Sequence, residues 1–169
     1  AGQVDEVCDR FEQAWQAGEN PQVSRFLAEN ASQWQHWSSS IRRQLLEELI
    51  KLDLEYRWQG QDASQQTALM AEQDTMVAGD RESRRLLLED YVSQHPELGS
   101  SDKLSLELVL EEYRVRQRWG DQPPHQEYLK RFPDHGPQLQ HQLAQVDSDL
   151  SAEGQTQHRQ LTRSNTMSS

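Results

Sequence analysis

Leu106-Glu-Leu-Val-Leu-Glu-Glu-Tyr-Arg-Val-Arg-Gln-Arg-Trp-Gly-Asp-Gln-Pro-Pro-His-Gln-Glu-Tyr-Leu-Lys-Arg-Phe-Pro-Asp134 is the stretch that decides the fold. Leu108, Val115 and Trp119 lie on one helical face, with Leu106, Val109, Leu110 and Tyr113 beside it, so the first half is a broad amphipathic helix. Gly120 stops it, and Pro123-Pro124 restarts the chain as a short helix presenting Tyr128, Leu129 and Phe132. Pro133 closes that helix. The same phrase occurs elsewhere. A first copy runs from Phe11 through Trp15, Gly18 and Pro21 to Phe26-Leu27. A split middle copy begins at Leu52-Asp-Leu-Glu-Tyr-Arg-Trp-Gln-Gly60 and resumes at Leu88-Glu-Asp-Tyr-Val-Ser-Gln-His-Pro-Glu97. Internal repetition of this kind marks a modular helical array, an architecture used mainly to hold partners.

Outward from these copies, Val4, Val7, Cys8, Phe11, Ala14 and Trp15 follow helical spacing, and so do Ile41, Leu45, Leu49, Leu52 and Tyr56, and Leu139, Leu143, Val146 and Leu150. The pattern predicts long helices near residues 4–17, 41–58, 103–119 and 137–150, and shorter ones near 21–29, 82–94 and 124–132, with Asp80 as a cap for the second of these. No run alternates with the period of a strand. The predicted fold class is therefore all-α: an irregular helical repeat or bundle of about three long-helix plus short-helix units, with a disordered C-terminal tail. Residues 1–150 form the repeat domain, with a flexible insertion at about 61–79 where Gln, Ala, Ser, Thr and Asp dominate. Residues 151–169, rich in Ser, Thr and Gln, form the linker or tail.

Composition narrows the function classes. A hydrophobic fraction of 34% and a mean hydropathy of −0.99 leave a lean core. No apolar run approaches the ~20 residues of a membrane helix, so no membrane insertion is expected. The net charge of −11 argues against a nucleic-acid partner, which needs clustered cations. Cys8 is the only cysteine. That excludes an internal disulfide and fits a reducing, cytoplasmic location.

Chemistry-bearing motifs are sparse. There is no glycine-rich phosphate loop, no nucleophile elbow and no paired-histidine zinc helix. The histidines are scattered, so no metal, cofactor or catalytic residue is assigned. Glu47-Glu48, Asp53, Glu55, Glu111-Glu112, Asp147 and Asp149 alternate with apolar residues and read as solvated helix faces. Cys8, on an apolar stripe, reads as a small buried hydrophobe. Trp15, Trp58 and Trp119 occupy equivalent places in the copies, as do Phe26, Tyr91 and Tyr128, and the two sets are expected to be buried against each other. Trp34 and Trp37 stand outside the repeat, as either lid residues over a small core or a partner-docking spot. In the tail, Arg159-Gln-Leu-Thr162 and Arg163-Ser-Asn-Thr166 both read Arg-x-x-Thr. They are either an inert spacer or phosphorylation sites at Thr162 and Thr166 for a kinase that reads an upstream arginine.

Val7-Cys-Asp-Arg-Phe-Glu-Gln-Ala-Trp-Gln-Ala-Gly18, Glu111-Glu-Tyr-Arg114 with Trp119-Gly-Asp-Gln-Pro123, and Glu127-Tyr-Leu-Lys-Arg-Phe-Pro-Asp134 together resemble the region that precedes the catalytic domain in many planctomycete-type bacterial serine/threonine protein kinases. The likeness covers roughly Val4 to Leu150. It departs in the middle copy, which lacks the Gly-x-x-Pro link, and in the Asn30 to Ser40 connector, which lacks a Pro-rich turn. The resemblance implies a noncatalytic regulatory or docking module ahead of an ATP-dependent kinase domain. Its expected partners are its own kinase domain or kinase substrates. The alternative is a free-standing helical adaptor. No kinase signature lies in this chain, so the resemblance carries no ATP-binding or catalytic residue onto it.

Overall fold

A computed structural model describes residues 2–68 and 85–164, with side chains over 2–60 and 85–155. The described residues are all-α, with no strand among them. The helices are α1 (Gln3–Gln16), α2 (Val23–Glu29), α3 (Ala31–Trp34), α4 (Ser39–Ala68), α5 (Leu88–Gln94), α6 (Leu106–Trp119), α7 (His125–Arg131) and α8 (Gly136–Ser164). The long helix α4 lies between α1 and α6, and α6 in turn packs against α8. Leu45, Leu49 and Leu54 on α4 and Leu108, Val109 and Val115 on α6 are buried in this seam. The lean composition therefore concentrates its apolar residues on facing stripes, where their burial counts most.

The largest departures from the expected boundaries are in α4, α5 and α8, while α6 starts at Leu106 after a separate 3-10 turn at Ser101–Lys103. Helix α4 continues past Trp58 to Ala68, into the stretch read as a loop. Its residues 69–79, together with Asp80 and residues 81–84 of the expected 82–94 helix, lie outside the described residues. Helix α5 starts only at Leu88, where the carboxylate of Asp90 accepts from the Leu87 N–H at 2.9 Å. A carboxylate reaching back three residues satisfies one of the N–H groups a helix start leaves open. Helix α8, expected over 137–150, runs to Ser164, and its residues Ser151 to Gln155 are exposed.

The repeat is visible as geometry. Tyr91 and Tyr128 each sit at the fourth position of a short helix. Each chain then turns through a 3-10 segment that opens with proline, Pro96–Leu98 and Pro133–His135. Both turns end on a glycine with positive φ, Gly99 at 81° and Gly136 at 47°, a conformation that costs glycine little. The links into α2 and α7 match as well. Gly18-Glu19-Asn20-Pro21 and Gly120-Asp121-Gln122-Pro123 both carry positive φ at the third residue, Asn20 at 53° and Gln122 at 50°.

Candidate functional site

Two features stand out: a pair of buried acid–arginine–tyrosine clusters inside the repeat, and an apolar groove at one end of the bundle.

The first cluster joins α4 to α5. Asp53 and Arg57 stand one helical turn apart and are 1% and 5% exposed. The Arg57 Nε donates to Asp53 Oδ2 at 2.7 Å, and the Tyr91 hydroxyl donates to the same oxygen at 2.5 Å. Asp53 Oδ1 has no hydrogen-bond partner. Asp53 helps to line a cavity of about 100 Å3 with Gln22, Val23, Leu86 and Gln94. Burial pushes the Asp53 carboxyl up, and the charge and hydrogen bonds of Arg57 and Tyr91 only partly offset this.

The second cluster joins α6 to α7 with the same parts. Glu112 and Arg116 are again one turn apart and buried, and the Tyr128 hydroxyl donates to Glu112 Oε1 at 2.7 Å. Here the carboxylate is saturated. Arg131 Nη1 donates to Oε1 at 2.6 Å, and the Leu88 N–H donates to Oε2 at 2.6 Å, which ties the start of α5 to α6. Arg116 reaches outward to Asp121 at 2.6 Å and Glu127 at 2.6 Å, and Arg131 to Glu89 at 2.5 Å. Asp121 is held below the usual carboxylate range by its hydrogen bond to Arg116. In Glu89, burial acts upward but the hydrogen bond and charge of Arg131 outweigh it, so its carboxyl is lowered.

Aligning Asp53 with Glu112 and Arg57 with Arg116 corrects the sequence register. Trp58 then falls on Gln117, not on Trp119. The link glycines Gly18 and Gly120 place Trp15 at that same position, so Trp15 and Trp58 are equivalents and Trp119 is not. The expected tryptophan–aromatic pairing is not formed either. Trp15 stacks on Tyr56 at 5.7 Å, and Phe26 meets Phe11 edge-on at 5.0 Å. Trp58 is buried beneath the Arg85 guanidinium, with its Nε1 donating to the Leu86 carbonyl at 3.2 Å. Trp15 and Trp119 are only half-buried. The reading of Asp53 and Glu112 as solvated is overturned: their i, i+4 arginines and the tyrosine of the following short helix hold them inside. The recurring acid-x-x-x-Arg spacing, followed by Tyr in the next short helix, was the available signal.

Other titratable groups are structural. Asp147 accepts from the Tyr113 hydroxyl at 2.6 Å and lies 2.7 Å from His125 Nε2, joining α6, α7 and α8. Burial, then the hydrogen bond to Asp147, pushes the Tyr113 hydroxyl up, so it holds its proton. Cys8 is half-buried, and burial with nearby Glu48 pushes its thiol up to about 11. A thiol in that state is a poor nucleophile.

The groove lies between α2–α3 and the start of α4, with a volume of about 800 Å3. Leu27, Ala31, Trp34, Leu45 and Leu46 line it, with Ser39, Ser40, Arg42, Arg43 and Glu97 among the polar residues around them. Trp34 is 6% exposed and stacks against Phe26 at 6.5 Å. Trp37 is half-buried, with its ring 6.2 Å from that of Trp34. Trp34 thus closes the core from outside and forms part of the groove lining, while Trp37 braces it. Thr162 falls on the helical backbone of α8 with its side chain outside the description, and Thr166 lies outside the described residues. Among the described residues no group of three metal-ligating side chains gathers, and no helix is long and apolar enough to cross a membrane. Comparison with protein-family models, with curated proteins and with solved structures gives no match.

Proposed function

We propose that this chain is a noncatalytic docking module that precedes a serine/threonine protein kinase domain in its full polypeptide and recruits protein partners or substrates to it. The observation that carries the docking half is the groove. It is concave, its lining includes Leu27, Trp34, Leu45 and Leu46, and it is flanked by helices fixed in a packed bundle. Grooves of this form accept the apolar face of a helix or an apolar segment, and a preformed lining reduces the entropy cost of binding. The kinase half rests on the ordered resemblance of Val7–Gly18, Glu111–Pro123 and Glu127–Asp134 to such regions.

The full-length polypeptide tests both halves. Filling the groove with Ala31→Trp is expected to raise KM for a docked protein substrate and to leave phosphorylation of a short peptide substrate unchanged. Equal kinetics for wild type and variant on both substrates would remove the docking role. An intact polypeptide with no kinase domain would leave the free-standing adaptor.

A further inference from the structure

We infer that the groove takes an acidic amphipathic segment of a partner protein, seated with its carboxylates toward the start of α4. This rests on the docking reading above and adds the chemistry and polarity of the occupant. The first observation is the apolar lining, Leu27, Trp34, Leu45 and Leu46, with Ile41 at the start of the same helix. Ile41 is one turn before Leu45 and is 40% exposed, the only exposed large hydrophobic side chain among the described residues. The apolar stripe of α4 therefore continues beyond what the bundle covers. A partner with two apolar anchors at helical spacing complements it.

The second observation is the charge at the groove edge. The first turn of α4 carries no acid, although acids are the residues that favour a helix N-terminus. Its fourth and fifth residues are Arg42 and Arg43 instead, both lining the groove. Arg43 is engaged by Glu47 at 3.1 Å and by the Lys103 carbonyl at 3.1 Å. Arg42 is exposed and makes no side-chain hydrogen bond or ion pair among the described residues. The exposed Arg42 guanidinium, the Arg43 guanidinium already held by Glu47, and the positive end of a 30-residue helix thus lie on the α4 side of the groove, in a chain whose net charge is −11. An acidic partner is repelled by the chain as a whole and attracted at this edge, which favours one docking site and orientation. Glu97 lines the groove too, so the segment's carboxylates belong on the α4 side and away from Glu97.

The experiment is selection from a random displayed-peptide library on the purified chain, with affinities of the selected peptides measured by fluorescence anisotropy. Peptides with an apolar pair at i, i+3 or i+4 spacing and flanking Asp or Glu are expected. Their affinity should fall by at least about tenfold in Ala31→Trp. It should fall by about tenfold in Arg42→Glu/Arg43→Glu, with binding weakened by added salt. The same selection on the Arg42→Glu/Arg43→Glu variant should shift to Lys- and Arg-bearing peptides. Circular dichroism and thermal midpoints matching the wild type verify that the variants are folded. Peptides that are lost in Ala31→Trp but carry no acidic bias would keep the docking reading and overturn the acidic partner. Peptides indifferent to Ala31→Trp, or no binders at all, would overturn both.

Discussion

The α4–α5 unit and the α6–α7 unit are each built around an acid, an arginine and a tyrosine, yet one buried carboxylate is half-satisfied and the other is saturated. Asp53 receives both its donors, Arg57 Nε and the Tyr91 hydroxyl, on a single oxygen. Glu112 receives Tyr128 and Arg131 Nη1 on one oxygen, and the Leu88 N–H and Arg131 Nη2 on the other. The alignment of short helices that pairs Tyr91 with Phe26 also pairs Leu88 with Val23. Val23 and Asp53 both line the cavity of about 100 Å3. The third unit, α1–α2, dispenses with the cluster: Arg10, Ala14 and Phe26 stand at the acid, arginine and tyrosine positions. The apolar contact of Phe11 with Phe26 closes it instead. One scaffold therefore tolerates three solutions at the same joint, because the helix geometry is held by the apolar seam and the cluster sets how firmly each short helix is fastened.

The strongest test removes the saturated acid. Glu112→Leu leaves Arg131, the Tyr128 hydroxyl and the Leu88 N–H without their common acceptor inside the bundle. Breaking a buried charge network by deleting one partner costs about 3–5 kcal/mol, and the urea midpoint should fall accordingly. The Glu112→Leu/Arg131→Met double variant should recover part of that loss. A Glu112→Leu midpoint within error of wild type would mean that the network contributes nothing.

A smaller loss is expected where the two units touch. A Cβ at Gly120 would lie 2.5 Å from Trp58 Cζ3 and 2.9 Å from the Arg116 carbonyl oxygen. The Trp58 ring is buried and cannot swing aside. Gly120→Ala should cost about 1–3 kcal/mol through overpacking, read as a drop in urea midpoint. Its counterpart Gly18 has open space but a φ of 78°, so Gly18→Ala is penalised only by backbone conformation.

The periodicity of apolar residues made the all-α class, the long helices and three of the short ones legible, since each stripe needed only a partner stripe to bury it, but not α3, which falls in the stretch read as a connector. The repeat was legible through Gly-x-x-Pro and Tyr-x-x-x-x-Pro, because turns and helix stops use few residue types. What the sequence concealed was pairing across units. Asp53 and Glu112 look solvated in one dimension, and only the short helices arriving 38 and 16 residues later show that they are enclosed. Trp119 shares its residue type and its place shortly before a glycine with Trp58, whereas the buried charges fix the register two residues away. The groove was only half-legible. Trp34 stands out in the sequence as lying outside the repeat, but Leu27, Ala31, Leu45 and the arginines of α4 belong to separate stretches that only the tertiary fold unites.

The Asp53 carboxyl and the outer carboxyls that pair with Arg116 and Arg131 should also titrate in opposite senses. Asp53 has its folded pKa raised, so the folded state takes up its proton more readily than the unfolded chain. Its contribution to stability is present below the ordinary carboxylate value and is lost as pH rises through its own raised value. Asp121 and Glu89 are lowered, so their contributions are present above the ordinary value and are lost as pH falls through theirs. Carbon-13 titration of the side-chain carboxyls should place Asp53 above the ordinary carboxylate range and the other two below it. Asp53→Asn should flatten only the decline toward higher pH, and Asp121→Asn only part of the decline toward acid.

The smallest and most discriminating change makes the first unit like the second. Asp53→Glu adds one methylene next to an existing cavity of about 100 Å3, so overpacking is limited. The longer side chain extends the carboxylate across the cavity that Val23 also lines, and the repeat alignment makes the Val23 N–H the counterpart of the Leu88 N–H that donates to Glu112. A hydrogen bond from a backbone N–H to a charged acceptor contributes about 1.5–3 kcal/mol at best. Reorganising Arg57 and Tyr91 around the moved carboxylate opposes it. The net expectation is a gain of about 0.5–1.5 kcal/mol in urea unfolding, with slower hydrogen exchange at Val23, the signature of a bond formed there. A loss of stability with unchanged exchange at Val23 would mean that Asp53 is fitted to its cavity. The difference between the two units would then be a property of the packing around them, not of one missing methylene.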